Sequence, residues 1–137
     1  MLGITSSGIV EPDIYGKQTF ADLLALIEKT AAEEDLEIAQ FQSNHEGAIV
    51  DKIQDCYGKV DGIVINPAAY THNSVAILDA LKSVGIPAVE VHISNVDARE
   101  SFRQISYTGM YCEKTIKGQG LEGYRQAILY LKETCGK

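Results

Sequence analysis

The chain has no tryptophan and only three phenylalanines in 137 residues. It is also short of cations: twelve lysines and arginines stand against nineteen aspartates and glutamates, a formal net charge of -7 at pH 7. That balance argues against nucleic acid or an anionic membrane as the main partner, because both are held chiefly through basic side chains. No apolar run approaches the roughly 20 residues of a membrane span, and no secretory signal is visible. The three cysteines, Cys56, Cys112 and Cys135, are odd in number and widely spaced. They form no metal-ligand cluster, and a reduced, cytoplasmic setting is the simplest reading. Internal repeats and low-complexity linkers are absent too. No phosphate-cradling glycine-rich turn follows a first strand. Together with the missing tryptophan, this leaves little support for a flavin-binding module.

What is there is ordinary globular material, 45% hydrophobic and 23% charged, of a length that suits one domain with a sizeable core. Met1 to Gly16 reads as loop, punctuated by Gly3, Ser6, Ser7, Gly8, Pro12 and Gly16. Thr19 can cap a helix reaching to about Asp35, with Phe20, Leu23, Leu24, Ile27 and Ala31 on one face. Leu36 to Gln42 alternates as a strand does. Ser43 and Glu46 have the spacing of a capping box, which predicts a helix to about Tyr57 with Ile49, Ile53 and Cys56 inward. Near the end, Ala98 to Gln104 reads as a short turn or helix. Gly109 to Lys117 reads as a weak edge strand, and Leu121 to Thr134 as a helix burying Tyr124, Ala127, Ile128 and Leu131.

The stretch that organises the rest is Asn66-Pro67-Ala68-Ala69-Tyr70-Thr71-His72. It follows the apolar run Gly62 to Ile65, a buried strand by pattern, and precedes a helix over Asn73 to Val84. The arrangement recurs at Ala88 to His92, a strand ending in histidine and followed by Ile93-Ser94-Asn95. Strands alternating with helices predict a doubly wound parallel sheet with helices on both faces, and such sheets bind ligands at the carboxyl edge. Asn66, His72 and His92 are therefore candidates for one site. Other readings stand beside these. Asn66-Pro67 also suits a plain turn, His45 and Glu46 suit helix capping, and Asp79 suits a solvated helix face.

One element is expected to be missing. A flavodoxin-like order places the first strand in the middle of the sheet. Met1-Leu2-Gly3-Ile4 reads as too short and glycine-broken for that place.

Five ordered motifs now carry a resemblance. They are Glu11-Pro12-Asp13-Ile14-Tyr15-Gly16, Phe41 to Gly47, Asn66 to His72, Val89 to Asn95 and Ala98 to Arg103, followed by Gly118-Gln119-Gly120 and Gly123-Tyr124. The chain resembles the type II 3-dehydroquinases over nearly its whole length. The resemblance implies a flavodoxin-like fold, trimers assembled into a dodecamer, and no cofactor. The implied reaction is a shikimate-pathway step, removal of water from 3-dehydroquinate to give 3-dehydroshikimate. By the same resemblance Tyr15 is the base, His92 the acid and Glu90 its orienting partner. Asn66 binds a substrate hydroxyl, and His72 holds the ring. The backbone N–H groups of Ile93 and Ser94 take the substrate carboxylate, and Arg103 reaches the ring hydroxyls. Arg99 is supporting, and Asp79 enters the site of a neighbouring subunit.

Two departures from the family pattern matter. Where the family has an arginine before the Glu-Pro pair, this chain has Val10, and its first arginine is Arg99. A fixed cation lowers a nearby acid's pKa by about 1 to 3 units, so its loss reduces the reactive phenolate. Lys17 is the nearest cation in sequence. The family's strand and Asn-rich loop before Leu2-Gly3 are also not seen, which suggests a sequence that starts late. An active dehydratase is therefore weighed against an impaired relative that keeps the fold, the oligomer and ligand binding.

Overall fold

The computed structural model describes residues 2–7, 20–93 and 100–135, with 2–7 and 102–103 described as backbone only. The described residues form five strands: β1 (Leu2–Ser7), β2 (Ile38–Ser43), β3 (Gly62–Asn66), β4 (Ala88–His92) and β5 (Lys114–Lys117). All pair in parallel, in the order β2-β1-β3-β4-β5. Between them run α1 (Phe20–Glu33), α2 (Glu46–Asp55), α3 (Val75–Val84) and, at the end, α4 (Glu122–Cys135). Among the described residues no helix is long and apolar enough to cross a membrane.

Successive side chains on a strand point to opposite faces, and this divides the core in two. Val64, Val89 and Val91 pack with Leu23 and Ile27 of α1 and with Tyr124, Ile128 and Leu131 of α4. Ile63, Ile65 and Ala88 pack on the other side with Ile49 and Ile53 of α2 and Ile77 and Leu81 of α3. Both faces of β3 and β4 are thus covered, which is why β3 reads as a continuous apolar run up to Asn66. The doubly wound, flavodoxin-like sheet predicted from the alternation of elements is the one observed.

The expectation of an empty central place is corrected. Leu2–Ser7 occupies it, pairing with β2 from Leu2↔Ile38 to Ser7↔Ser43 and with β3 from Leu2↔Gly62 to Ser6↔Asn66. Ladder bonds use backbone groups, so Gly3 and the polar Thr5-Ser6-Ser7 do not bar a strand. β2 and β3 each present an edge whose buried N–H and C=O groups need partners. The pull of two neighbours, rather than an apolar run, sets this strand.

Smaller differences have local causes. The capping box does not form: Ser43 Oγ accepts the His45 N–H at 3.0 Å, and α2 starts at Glu46 without a side-chain cap. In α1 the buried face is Leu23, Ile27 and Thr30, while Phe20 is about half exposed. Thr30 satisfies its hydroxyl on the Leu26 carbonyl at 2.8 Å, so a polar residue fits there. The helix predicted from Asn73 begins at Val75, capped by Ser74 Oγ, which accepts the Ile77 N–H at 3.0 Å. Residues Ala68–His72 form a 3-10 turn instead. β5 lies at the sheet edge as predicted, but only Lys114–Lys117 is strand, and Thr108–Met110 is a second short 3-10 turn.

Candidate active site

At the carboxyl end of β3, Asn66 is buried at 4% exposure, on the same face as Val64 two residues earlier. Its Oδ1 accepts the Ala68 N–H at 3.0 Å, and its Nδ2 donates to the Tyr124 hydroxyl at 2.9 Å. Both bonds fix which end of the amide is oxygen. The turn they enclose is tight. Pro67 supplies φ −79°, and Ala68 takes φ +51°, a left-handed conformation that costs a residue with a Cβ about 1 to 2 kcal/mol. The Asn66 bond to Ala68 holds that conformation and directs the chain into the 3-10 turn.

On β4, Glu90 and His92 are two residues apart and share the opposite face. Glu90 is fully buried and His92 is 5% exposed. His92 Nε2 lies 2.9 Å from Glu90 Oε1. An ionised carboxylate only accepts, so Nε2 carries a hydrogen directed at Glu90, and Nδ1 is the ring nitrogen not engaged with it. Thr71 and Ser106 hydroxyls donate to Glu90 Oε2 at 2.7 Å each. Burial pushes the Glu90 carboxyl up. The hydrogen bond and charge of His92, with the two hydroxyls, outweigh that and hold it below the usual carboxylate range. The Cys112 thiol nearby is pushed up by burial and by the Glu90 charge.

His72, at the end of the 3-10 turn, has Nδ1 at 2.7 Å from the Ile105 carbonyl. A carbonyl accepts, so Nδ1 donates and Nε2 remains to face outward. One residue back, the Thr71 carbonyl accepts the Tyr107 N–H at 2.7 Å. The turn 68–72 and the segment 105–107 are thereby tied together beside Glu90. Past β4, Ile93 is buried and its carbonyl accepts the Gly120 N–H at 3.0 Å. Asp79 is exposed on α3.

The structure brings Glu90 and His92 together as the sequence suggested. It places Asn66 on the neighbouring strand end but on the other face, against α4. Tyr15, Ser94 and Arg99, with Val10 and Lys17, lie outside the described residues. Arg103 lies in the 3-10 turn Ser101–Gln104, and its side chain is likewise outside them. Three residues went unnoticed in the sequence. Thr71 sat inside the singled-out stretch without a partner to give it meaning. Ser106 is 16 residues from Glu90, and no local pattern links them. Tyr124 was counted for its ring alone, though a buried tyrosine hydroxyl normally requires a partner. Among the described residues no group of three His, Cys, Asp or Glu could hold a metal ion.

Comparison with known proteins agrees with this geometry. The family model described as Dehydroquinase class II matches residues 4–132. A 3-dehydroquinate dehydratase of Lachnoclostridium phytofermentans is 54% identical over 122 residues, covering 88% of this chain and 84% of that protein. Catabolic 3-dehydroquinase 1 of Aspergillus terreus is 54% identical over 121 residues, covering 88% of this chain and 80% of its own. The crystal structure of type II dehydroquinase from Butyrivibrio crossotus superposes with a TM-score of 0.90 at 48% identity, over 96% of each chain. On a match spanning almost all of its sequence and fold, the chain belongs to the class II dehydroquinase family.

Proposed function

We propose that this protein is a 3-dehydroquinate dehydratase, a hydro-lyase that eliminates water from 3-dehydroquinate to give 3-dehydroshikimate. The observation that carries the reading is the buried Glu90–His92 pair at the carboxyl end of β4, 2.9 Å apart, in a chain of this family. The substrate is a β-hydroxy ketone with a carboxylate. Its elimination needs a base for the proton beside the ketone, stabilisation of the enolate, and an acid for the departing hydroxyl.

Tyr15 is assigned as the base. It takes the proton beside the ketone, and the electron pair moves into the carbonyl to form an enolate. His92 is the acid. Doubly protonated, with Nε2–H directed at Glu90, the ring delivers its Nδ1 proton to the leaving oxygen as the enolate collapses to the conjugated enone and water departs. Glu90 fixes the ring and balances the charge of the protonated imidazole. Asn66 binds a substrate hydroxyl, in an amide orientation fixed by Ala68 and Tyr124. His72 holds the ring, the backbone N–H groups of Ile93 and Ser94 take the carboxylate, Arg103 meets the ring hydroxyls and Arg99 supports it. The reaction needs no cofactor. Trimers assembled into a dodecamer bring Asp79 of one subunit to the site of the next, consistent with its exposure in the single chain.

Incubation with 3-dehydroquinate, followed by ultraviolet absorbance of the enone, tests the reading. Turnover lost in Tyr15→Phe and His92→Ala supports it, and no turnover by the wild-type chain overturns it. Val10, in place of the family's arginine, favours a second reading: a member that binds the substrate with little turnover. Thermal stabilisation by 3-dehydroquinate without product identifies that case.

A further inference from the structure

Three oxygens meet at the buried end of Glu90. Thr71 Oγ1 and Ser106 Oγ each lie 2.7 Å from Glu90 Oε2, and the two hydroxyls are 2.6 Å apart. Thr71 and Glu90 are fully buried, so bulk water does not substitute for the Thr71 hydroxyl. The Ser106 hydroxyl is also held by backbone. The Gly109 N–H donates to Ser106 Oγ at 2.8 Å and occupies one lone pair. The single hydroxyl hydrogen has the two carboxylate oxygens at 2.7 and 3.0 Å and Thr71 Oγ1 at 2.6 Å before it. Whichever of the two hydroxyls bonds the other, at least one of them donates to the carboxylate. Glycine makes that approach feasible: a Cβ at Gly109 would stand 2.9 Å from Ser106 Oγ. Thr71 is held from the other side, by its own carbonyl on Tyr107 N–H and by the neighbouring His72 on the Ile105 carbonyl.

The geometry points to Ser106 and Thr71 as positioning residues: their hydroxyls hold the Glu90 carboxylate ionised and in one rotation, so that Oε1 meets His92 Nε2. Neither hydroxyl is assigned to the substrate, and the pair acts through Glu90. Without them the carboxylate would keep one donor, His92, on one oxygen and face the burial cost on the other. Other ionisable groups face this corner. Among the described residues they include His92 on the same strand and Cys112 on the segment before β5. Cys112 is kept as a neutral thiol by burial and by Glu90, so it brings no charge of its own.

The test follows the side-chain carboxyl carbon of Glu90 by NMR through an acid titration, together with the imidazole nitrogens of His92. Wild type is compared with Ser106→Ala, Thr71→Val and Thr71→Ser, each first shown folded by its melting curve. The Glu90 midpoint moves to higher pH in Ser106→Ala and Thr71→Val, and stays at the wild-type value in Thr71→Ser, which keeps the hydroxyl. An unmoved midpoint in the folded variants overturns the inference. Should Ser106→Ala fail to fold, the valine and serine variants of Thr71 decide it alone. The rate arm rests on the proposed dehydratase reaction. There kcat falls about tenfold in the alanine and valine variants, the factor of one lost hydrogen bond to an ionised group, while KM holds. The acid limb of the kcat profile also moves up in pH. Wild-type chain without turnover would sink the proposed reaction, and the carboxyl titration would still decide the role of the hydroxyls.

Discussion

His92 Nε2 and Glu90 Oε1 stand 2.9 Å apart on one strand, both side chains almost wholly buried. A two-residue spacing on β4 places them on one face, and the pair sets the tautomer of the imidazole. Glu90→Gln tests this with little change of volume. The glutamine amide is neutral, so it no longer balances the charge of a doubly protonated imidazole, and less of the ring carries the acidic hydrogen on Nδ1. We expect kcat for 3-dehydroquinate to fall by about 10²-fold or more, as in other sites where a carboxylate–histidine pair is made neutral. Steady-state kinetics beside a melting curve separates this from unfolding. A variant with wild-type kcat would remove Glu90 from the mechanism.

The same carboxylate gives stability a pH dependence. Burial raises the Glu90 carboxyl, but His92, Ser106 and Thr71 lower it further, and its folded value lies below the ordinary 4.5. A group with a depressed folded pKa stabilises fully above its unfolded pKa, and that contribution is lost as pH falls through the folded value. The folded protein therefore loses stability between pH 4.5 and the lower folded value of Glu90. Urea unfolding across that acid window should show a steeper fall for wild type than for Glu90→Gln. Equal slopes would mean that Glu90 titrates alike in both states.

On the other face, Tyr124 is 1% exposed and its hydroxyl receives Asn66 Nδ2 at 2.9 Å. Tyr124→Phe keeps the ring in the core and takes away only the oxygen. The buried bond from Asn66 Nδ2 is then lost, at about 1 to 3 kcal/mol. Chemical denaturation should register that loss. A double cycle with Asn66→Ala should show the two changes to be far from additive, because both remove the same bond. Additive losses would mean that the pair does not act as one unit.

Periodicity revealed most of the sheet, since β3 is buried on both faces and its apolar run is continuous up to Asn66, while β4 keeps Ala88, Val89 and Val91 apolar around Glu90. It missed β1, because Leu2–Ser7 is held by backbone pairing to β2 and β3 and carries no apolar signature of its own. The site divided in the same way. Glu90 and His92 could be paired from a spacing of two residues. Thr71 with Ser106, and Asn66 with Tyr124, meet across 35 and 58 residues of chain, and only the folded packing brings them together. The capping box failed for a related reason. The Ser43 hydroxyl is engaged by the His45 N–H, and His45 rather than Ser43 stands at the cap of α2.

Two glycines on the surface should respond to alanine with opposite signs. Gly47 lies in the first turn of α2 with open space around its Cβ position and no positive φ. Alanine there restricts the unfolded chain and suits the helix, which predicts a gain of about 0.5 to 1 kcal/mol. Gly85 also has open space, but it ends α3 at φ +67° and ψ +19°, with its N–H donating to the Leu81 carbonyl at 3.1 Å. Alanine there has room and still must adopt a left-handed backbone, which predicts a loss of about 1 to 2 kcal/mol. Because neither site offers a clash, packing cannot produce the difference, and only backbone conformation remains. Equilibrium denaturation of Gly47→Ala and Gly85→Ala measures both, and the same sign in each would refute the conformational account.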